Sequence, residues 1–355
     1  MTKTVDIGTA LQNYVAIPKN EAELLGVLVN DLEIAQHFKV IRNLRTAKLL
    51  PKYTPGKGWR PVDTAVTSAM NKGSWGSRKI QPHTGMKILS LNPEDYRDSF
   101  ASEMLDPNAT EGPFAGFVWK EEFKKLIAEV NDNAYLSKDL TDTDDFDAAA
   151  TYDAGDYVVF GSNRLIYECL ATTSAGQSPT THPAKWQDVT ALAVCDGIGT
   201  IIAAEITATN LTAVATGALS TSNALDKVED MVKSMTAAMR KAGGTIFMSW
   251  GTYDKYLTHE KSVFPYVANP ALGNEQKYVY GSMNKWKIQP ATWMGTSGRV
   301  IATVDGNLVM GTNQLEDGNK IGKLIPTLHG YDAIIKMITG YQIADLEYLV
   351  VNNQA

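Results

Sequence analysis

KYTPGKGWRPVDTAVTSAMNKGSWGSRKIQPHTG, residues 52–85, is rich in Gly, Pro and Trp and poor in core-forming residues. A segment of this composition buries too little apolar area to fold by itself. It lies inside a wider stretch, residues 37–87, that holds eleven Lys and Arg and a single acid, Asp63. The chain has a formal net charge of −6, so its remainder carries −16 against +10 here. Such an asymmetry needs a nucleic acid, a membrane or an acidic protein surface as its partner. What surrounds the stretch decides among them.

At 355 residues and 44% hydrophobic content the chain has room for a sizeable core, and two domains are expected. The amino end, MTKTVDIGTALQNYV, has no apolar run of signal-peptide length, and no later segment approaches a membrane span. Cys169 and Cys195 stand in segments of different character. That usage argues against a disulfide scaffold and fits a reducing cytoplasm. Net acidity argues against a dedicated nucleic-acid binder, though a local basic arm could still touch phosphate.

Residues 20–50 read as mostly helical, with Leu24, Leu25, Leu28, Leu32 and Ala35 at spacings of three and four and Phe38, Ile41, Leu44 and Leu49 continuing the pattern. MKILSL, residues 86–91, is strand-like, and YRDSFASEML, 96–105, looks helical. A stronger helix follows Pro113, where Trp119, Phe123, Leu126, Ile127, Val130 and Ala134 form one stripe. Lys120, Glu121, Lys124, Lys125 and Glu129 give it a solvated face. Past Thr190 helix and strand alternate. Leu225, Val228, Val232, Met235 and Met239 predict a helix over 223–242, stopped by Gly243-Gly244. TIFMSW (245–250) reads as a strand with a short helix, Tyr253–Leu257, behind it. KWKIQPATWM, RVIATVDGNLVMGT and YDAIIKMITGYQIADLEYLVV add strands, and Asp305-Gly306-Asn307 reads as a hairpin turn. The class is α+β.

Between these halves the texture changes. Seven aspartates (139, 142, 144, 145, 147, 153 and 156) lead into TYDAGDYVVFGSNRLIYECLATTSAGQSPTTHPAKWQDV, residues 151–189, with turn signals, closely spaced aromatics and no helical period. This predicts a three-stranded β-module inserted in a surface loop, where insertions are best tolerated.

No reactive constellation emerges. His37, His83, His182, His259 and His329 are scattered, with no pair at ligand spacing, so no metal site is expected. DTDDFD (142–147) lacks the glycine and later glutamate of a calcium loop and reads as a solvated acidic linker. Ala242-Gly243-Gly244-Thr245 follows a helix, the wrong context for a phosphate cradle. No catalytic residues and no cofactor are predicted.

The order of these segments resembles the major capsid protein of tailed bacteriophages, the Hong Kong 97-like fold. The likeness runs through the whole chain except the insert. It implies an N-terminal arm at 1–45, an extended E-loop hairpin at 46–90, and a peripheral domain from 91–138 and 313–355. It further implies an axial domain at 190–312, leaving 139–189 as the inserted module with its acidic linker. GPFAGFVWKEEFKKLIAEVNDNAYL (112–136) is similar to the spine helix of that family. CDGIGTIIAAEI from Cys195 and AGGTIFMSWGTYDKYL are similar to its axial domain, and IQPATWMGTSGRVIATVDGNLVMGTN (288–313) to a strand pair before the last peripheral strands. The insert is similar to small chitin- or cellulose-binding modules through Tyr152, Gly155, Asp156, Val158, Phe160, Tyr167, Cys169, Pro183, Ala184 and Trp186. Tyr152, Tyr157, Tyr167 and Trp186 are then either a weak glycan-contacting face or the module's own core.

The resemblance implies a structural protein that self-assembles into pentamers and hexamers of an icosahedral shell in the bacterial host cytoplasm. Portal, scaffolding or decoration proteins would be further partners. Packaged DNA would be enclosed without sequence-specific binding, and no membrane is involved. The basic stretch then lies over a neighbouring copy, with Lys57, Trp59, Arg60, Lys72, Trp75, Arg78 and Lys79 as inter-subunit contacts. Trp59 and Trp75 are either anchors in the neighbour or packed within the hairpin. Some members of the family crosslink a lysine to an asparagine, and Lys57, Lys72, Asn352 and Asn353 stand in broadly suitable regions. Two rivals are an encapsulin-type nanocompartment shell and a secreted carbohydrate-binding protein.

Overall fold

The computed structural model describes residues 32–56, 59, 73–91, 113–264, 278–313, 320–321, 325–326 and 331–354. The first sheet is built on one long strand. β1 (Lys39–Ile41) runs parallel to β11 (Leu308–Thr312), which pairs antiparallel with the last five residues of β14 (Tyr331–Ile343). The rest of β14 pairs with β4 (His83–Leu91), from Tyr331↔Leu91 to Thr339↔His83. Short β12 (Lys320–Ile321) and β13 (Ile325–Pro326) line its other edge. Alternate β14 residues Ala333, Ile335 and Met337 are buried, as period-two geometry requires. They pack with the stripe of α2 (Pro113–Leu136), where Trp119, Phe123, Leu126, Val130 and Ala134 are buried. Enclosing Trp119 and Phe123 contributes roughly 2–3 kcal/mol each. The expected spine-like helix is present. Its Glu129 is not simply solvated, because Glu129 and Glu122 hold the half-buried Lys87 of β4 at 3.5 and 3.4 Å.

A second sheet has the order β15 (Leu349–Val351), β10 (Val300–Thr303), β8 (Gly244–Met248), β9 (Trp286–Pro290). It is covered on both faces, which explains its unbroken apolar runs. Phe247 and Ile301 face the first core, whereas Ile246, Met248, Val300 and Ala302 face a second. The second core is closed by α4 (Ala224–Ser234), through Leu225, Val228, Met231 and Val232, and by Tyr253 and Tyr256 of α6 (Trp250–Val263). α3 (Ile198–Thr207) belongs with the first core through Ile198 and Ile202.

Several expectations need correction. The helix expected over 20–50 is, within the described residues, only α1 (Glu33–His37). Phe38 closes it, β1 follows at once and β2 (Lys48–Thr54) begins soon after. Pairing with β11 and separate burial of Phe38 and Leu44 in two clusters outweigh local periodicity there. The helix over 223–242 is two helices, because Thr236 caps α5 (Ala237–Ala242) by accepting from Met239 N at 3.2 Å. The helix behind TIFMSW is longer than expected, starting from its cap Ser249.

Asp305-Gly306-Asn307 is a turn, with Gly306 at φ 78°, but no hairpin. It carries the chain from β10 in the second sheet to β11 in the first. The return crossing, Ala344–Tyr348, lies beside it. Asn307 Nδ2 donates to the Asp345 carbonyl at 2.9 Å, and Asp345 N donates to Asn307 Oδ1 at 2.8 Å. Within residues 313–355, β14 closes the first sheet and β15 the second. YRDSFASEML, the N-terminal 31 residues and His329 lie outside the described residues.

The insert is a separate three-stranded sheet, order β5 (Tyr157–Phe160), β6 (Leu165–Cys169), β7 (Trp186–Asp188). Its core joins Val158, Cys169 and Trp186 to Phe146, Tyr152 and Tyr167. The chain leaves and re-enters the body side by side, with Lys138 N donating to Leu192 O at 2.9 Å. Cys169 and Cys195 are both free and buried, and burial pushes the Cys195 thiol up to about 12.

Candidate assembly surface

β2 and β3 (Ser74–Ile80) form a two-stranded antiparallel ribbon, paired from Lys48↔Ile80 to Thr54↔Ser74 and outside both large sheets. An isolated ribbon of two strands is marginal in water, so its root must be held. Leu44, Ile80 and Val309 bury one another there, with Ile41, Leu50 and Ala344 around them. The root sits in a notch made by two glycines facing each other across β11 and β14, Gly311↔Gly340. A Cβ at Gly340 would overlap the Gln81 carbonyl oxygen, and one at Gly311 the Leu44 side chain. At Gly340, where the obstacle is backbone, only glycine lets the ribbon lie this close.

Charge fixes the ribbon's lie. Lys52 Nζ contacts Asp345 at 2.8 Å and Glu347 at 3.0 Å. Slight burial pulls the Lys52 ammonium down, but hydrogen bonds and charge from the two acids outweigh it and hold it above its ordinary value. Arg78 reaches Glu205 at 2.7 Å and donates to Gln342 Oε1 at 2.8 Å. Gln342 Nε2 donates in turn to the Lys79 carbonyl at 2.8 Å. Lys48 Nζ donates to the Asn43 carbonyl. Part of the basic stretch is thus neutralised by its own chain. Arg78 in particular is engaged internally. Sequence reasoning missed these pairs because Asp345, Glu347 and Glu205 lie far away along the chain and carry no local signal.

Beyond the root the ribbon exposes what a folded chain ordinarily hides. Trp75 is 76% exposed and Trp59 fully so. Trp75 stands opposite Tyr53, ring centroids 4.8 Å apart, so it does pack within the hairpin while leaving most of its surface open. Leu49 is exposed as well, and the outer side of β4 continues the surface with Met86 and Ile88, 67% and 61% exposed. Large apolar side chains are ordinarily buried, so their exposure here makes the ribbon and β4 candidates for contact with a partner. Lys57, Arg60 and Lys72 lie outside the described residues, and Lys79 is exposed. Asn352, considered for crosslinking, is fully buried, its amide accepting from Val300 N at 2.9 Å and donating to Gly298 O at 3.1 Å.

In the module the aromatic residues face inward. Trp186 is buried and donates from Nε1 to the Gln177 carbonyl at 3.0 Å. Tyr152 stacks on Phe146 at 5.5 Å and meets Trp186 edge-on at 5.4 Å. Tyr157 belongs to the module's root, under Lys138 Nζ at 4.4 Å and beside Leu140, Val189 and Ala193. Among the described residues no group of three His, Cys, Asp or Glu could hold a metal ion. Among them too, no helix is long and apolar enough to cross a membrane.

This two-sheet body with a long helix and a projecting ribbon is the Hong Kong 97-like phage capsid fold. The subunit in the satellite phage P4 procapsid, a structure that includes the size determination protein, is 10% identical and superposes with a TM-score of 0.55 over 94% of this chain and 90% of that one. The subunit of the capsid of a native GTA particle is 13% identical, with a TM-score of 0.52 over 90% of this chain and 89% of that one. No family model matches the sequence, and no curated protein matches it.

Proposed function

We propose that the chain is a structural virion protein, without catalytic activity, whose copies assemble as pentamers and hexamers into an icosahedral capsid around phage DNA. The observation that carries this reading is the extent of the fold, which embraces about nine-tenths of this chain and of a procapsid subunit alike. The ribbon supplies the contact between copies. Trp59 and Trp75 are the anchors, since exposed tryptophans dominate interface energy when buried by a partner. Lys79, with Lys57, Arg60 and Lys72, meets the acidic remainder of a neighbour, which favours correct registration more than raw affinity. The module is displayed on the outer surface as a self-contained body, and portal, scaffolding and decoration proteins are the further partners.

Negative-stain microscopy of the purified full chain tests the reading. Closed, uniform shells are expected. A protein that stays monomeric at high concentration, with and without a crowding agent, would sink it.

A further inference from the structure

Three hollows lie along one rim of the second sheet. The first, about 390 Å³, opens between His37, Lys39, Lys287 and the Asp305 turn. The second, about 430 Å³, shares Thr245, Lys287, Val304 and Asp305 with it and continues past Gly243 to Lys285. The third, about 310 Å³, meets the second at Lys285 and adds Arg240 and Lys241. Lys39, Arg240, Lys241, Lys285 and Lys287 are all exposed. Lys285 Nζ donates to the Lys241 carbonyl at 2.6 Å, which leaves its charge uncompensated. Among the described residues none of the five forms an ion pair. The one acid in the walls, Asp305, accepts from Thr245 Oγ1 at 3.1 Å. His37 adds no charge while its Nδ1 accepts from Trp293 Nε1 at 3.2 Å. A basic trough on a chain of net charge −6 is unexpected.

We infer that this trough is a binding site for the phosphodiester backbone of nucleic acid, read without regard to base sequence. The inference rests on the capsid reading, because it takes the enclosed genome as the polyanion. Lysine predominates among the five cations. Lysine heads serve phosphate contacts as point charges. Residues 231–253 and 278–304 contain no acid, so Asp305 is the single carboxylate set against five cations along the trough.

The test is fluorescence anisotropy of a labelled mixed-sequence duplex with unassembled full-length protein between about 50 and 200 mM salt. Five phosphate contacts predict a log–log salt slope of roughly −4.5, a loss of roughly 500-fold in affinity across that range. The double variant Lys39→Ala/Lys287→Ala should flatten the slope by about 2. Lys124→Ala/Lys125→Ala, on the exposed face of α2, should leave it unchanged, and circular dichroism should report both as folded. Wild-type protein that fails to bind at low salt, or a trough variant that keeps the full slope, would overturn the inference. So would tighter binding of polyglutamate than of duplex, which would assign the trough to an acidic protein. Shell closure is scored separately by microscopy: DNA binding without shells removes the capsid reading, and shells without DNA binding remove only the trough.

Discussion

Arg78, expected at a contact between copies, is also held within its own chain. Its side chain and that of Glu205 are each about a fifth exposed, 21% and 17%. Replacing Arg78 by Ala leaves a half-buried carboxylate without its cation and should cost about 1–3 kcal/mol at neutral pH in denaturant unfolding. The pH dependence has a definite sign. Burial alone would raise the Glu205 carboxyl, but hydrogen bonds from Asn210 and Arg78 and the Arg78 charge outweigh it and hold it below 4.5. A depressed carboxyl stabilises the fold above its unfolded value and loses that contribution as pH falls through the folded one. The gap between wild type and Arg78→Ala should therefore narrow below pH 4.5, and a gap constant down to pH 3 would contradict the pairing. Trp75→Ala should behave oppositely. Being mostly exposed, it should change subunit stability by less than about 1 kcal/mol while preventing shells, with sedimentation as the readout.

Among the elements, legibility followed how local the deciding physics is. α2 was readable because its stripe, Trp119 to Ala134, is the signal and the buried face at once. The three-stranded insert was readable from its turns. Residues 38–50 were misread because Phe38, Ile41, Leu44 and Leu49 keep apolar spacing while serving different clusters and strands. The turn at Asp305–Asn307 was misread because a turn motif states that the chain reverses, not which strand receives it. The glycine notch belongs at this scale too. Gly340→Ala drives a methyl against backbone, whereas Gly311→Ala meets the movable end of Leu44. Gly340→Ala should cost about 2–3 kcal/mol and make the ribbon more susceptible to protease, with Gly311→Ala costing less. Equal effects would show that the notch does not seat the ribbon.

For the whole molecule, the basic trough was invisible in sequence because its walls come from residues 36–39, 240–245, 285–287 and 305, none a charge run by itself. The module was visible, and its independence makes a prediction. Lys138 and Leu192 are already hydrogen-bonded neighbours, so a short Gly-Ser bridge can replace residues 141–190. The shortened chain should retain cooperative unfolding, losing about 2 kcal/mol with the contacts of Tyr157, Ile166 and Val189 on Leu140 and Ala193. Loss of cooperativity would mean that the insert is part of the body.

Asn307 carries a consequence for size. Its amide ties together both passages of the chain between the sheets, donating to the Asp345 carbonyl and accepting from Asp345 N. In the proposed shell a softer clasp would let the angle between the two sheets vary from one copy to the next. Asn307→Gly should give subunits that still close but into particles of mixed diameter. Evenness of curvature in the proposed shell would then depend on the hydrogen bonds of one carboxamide.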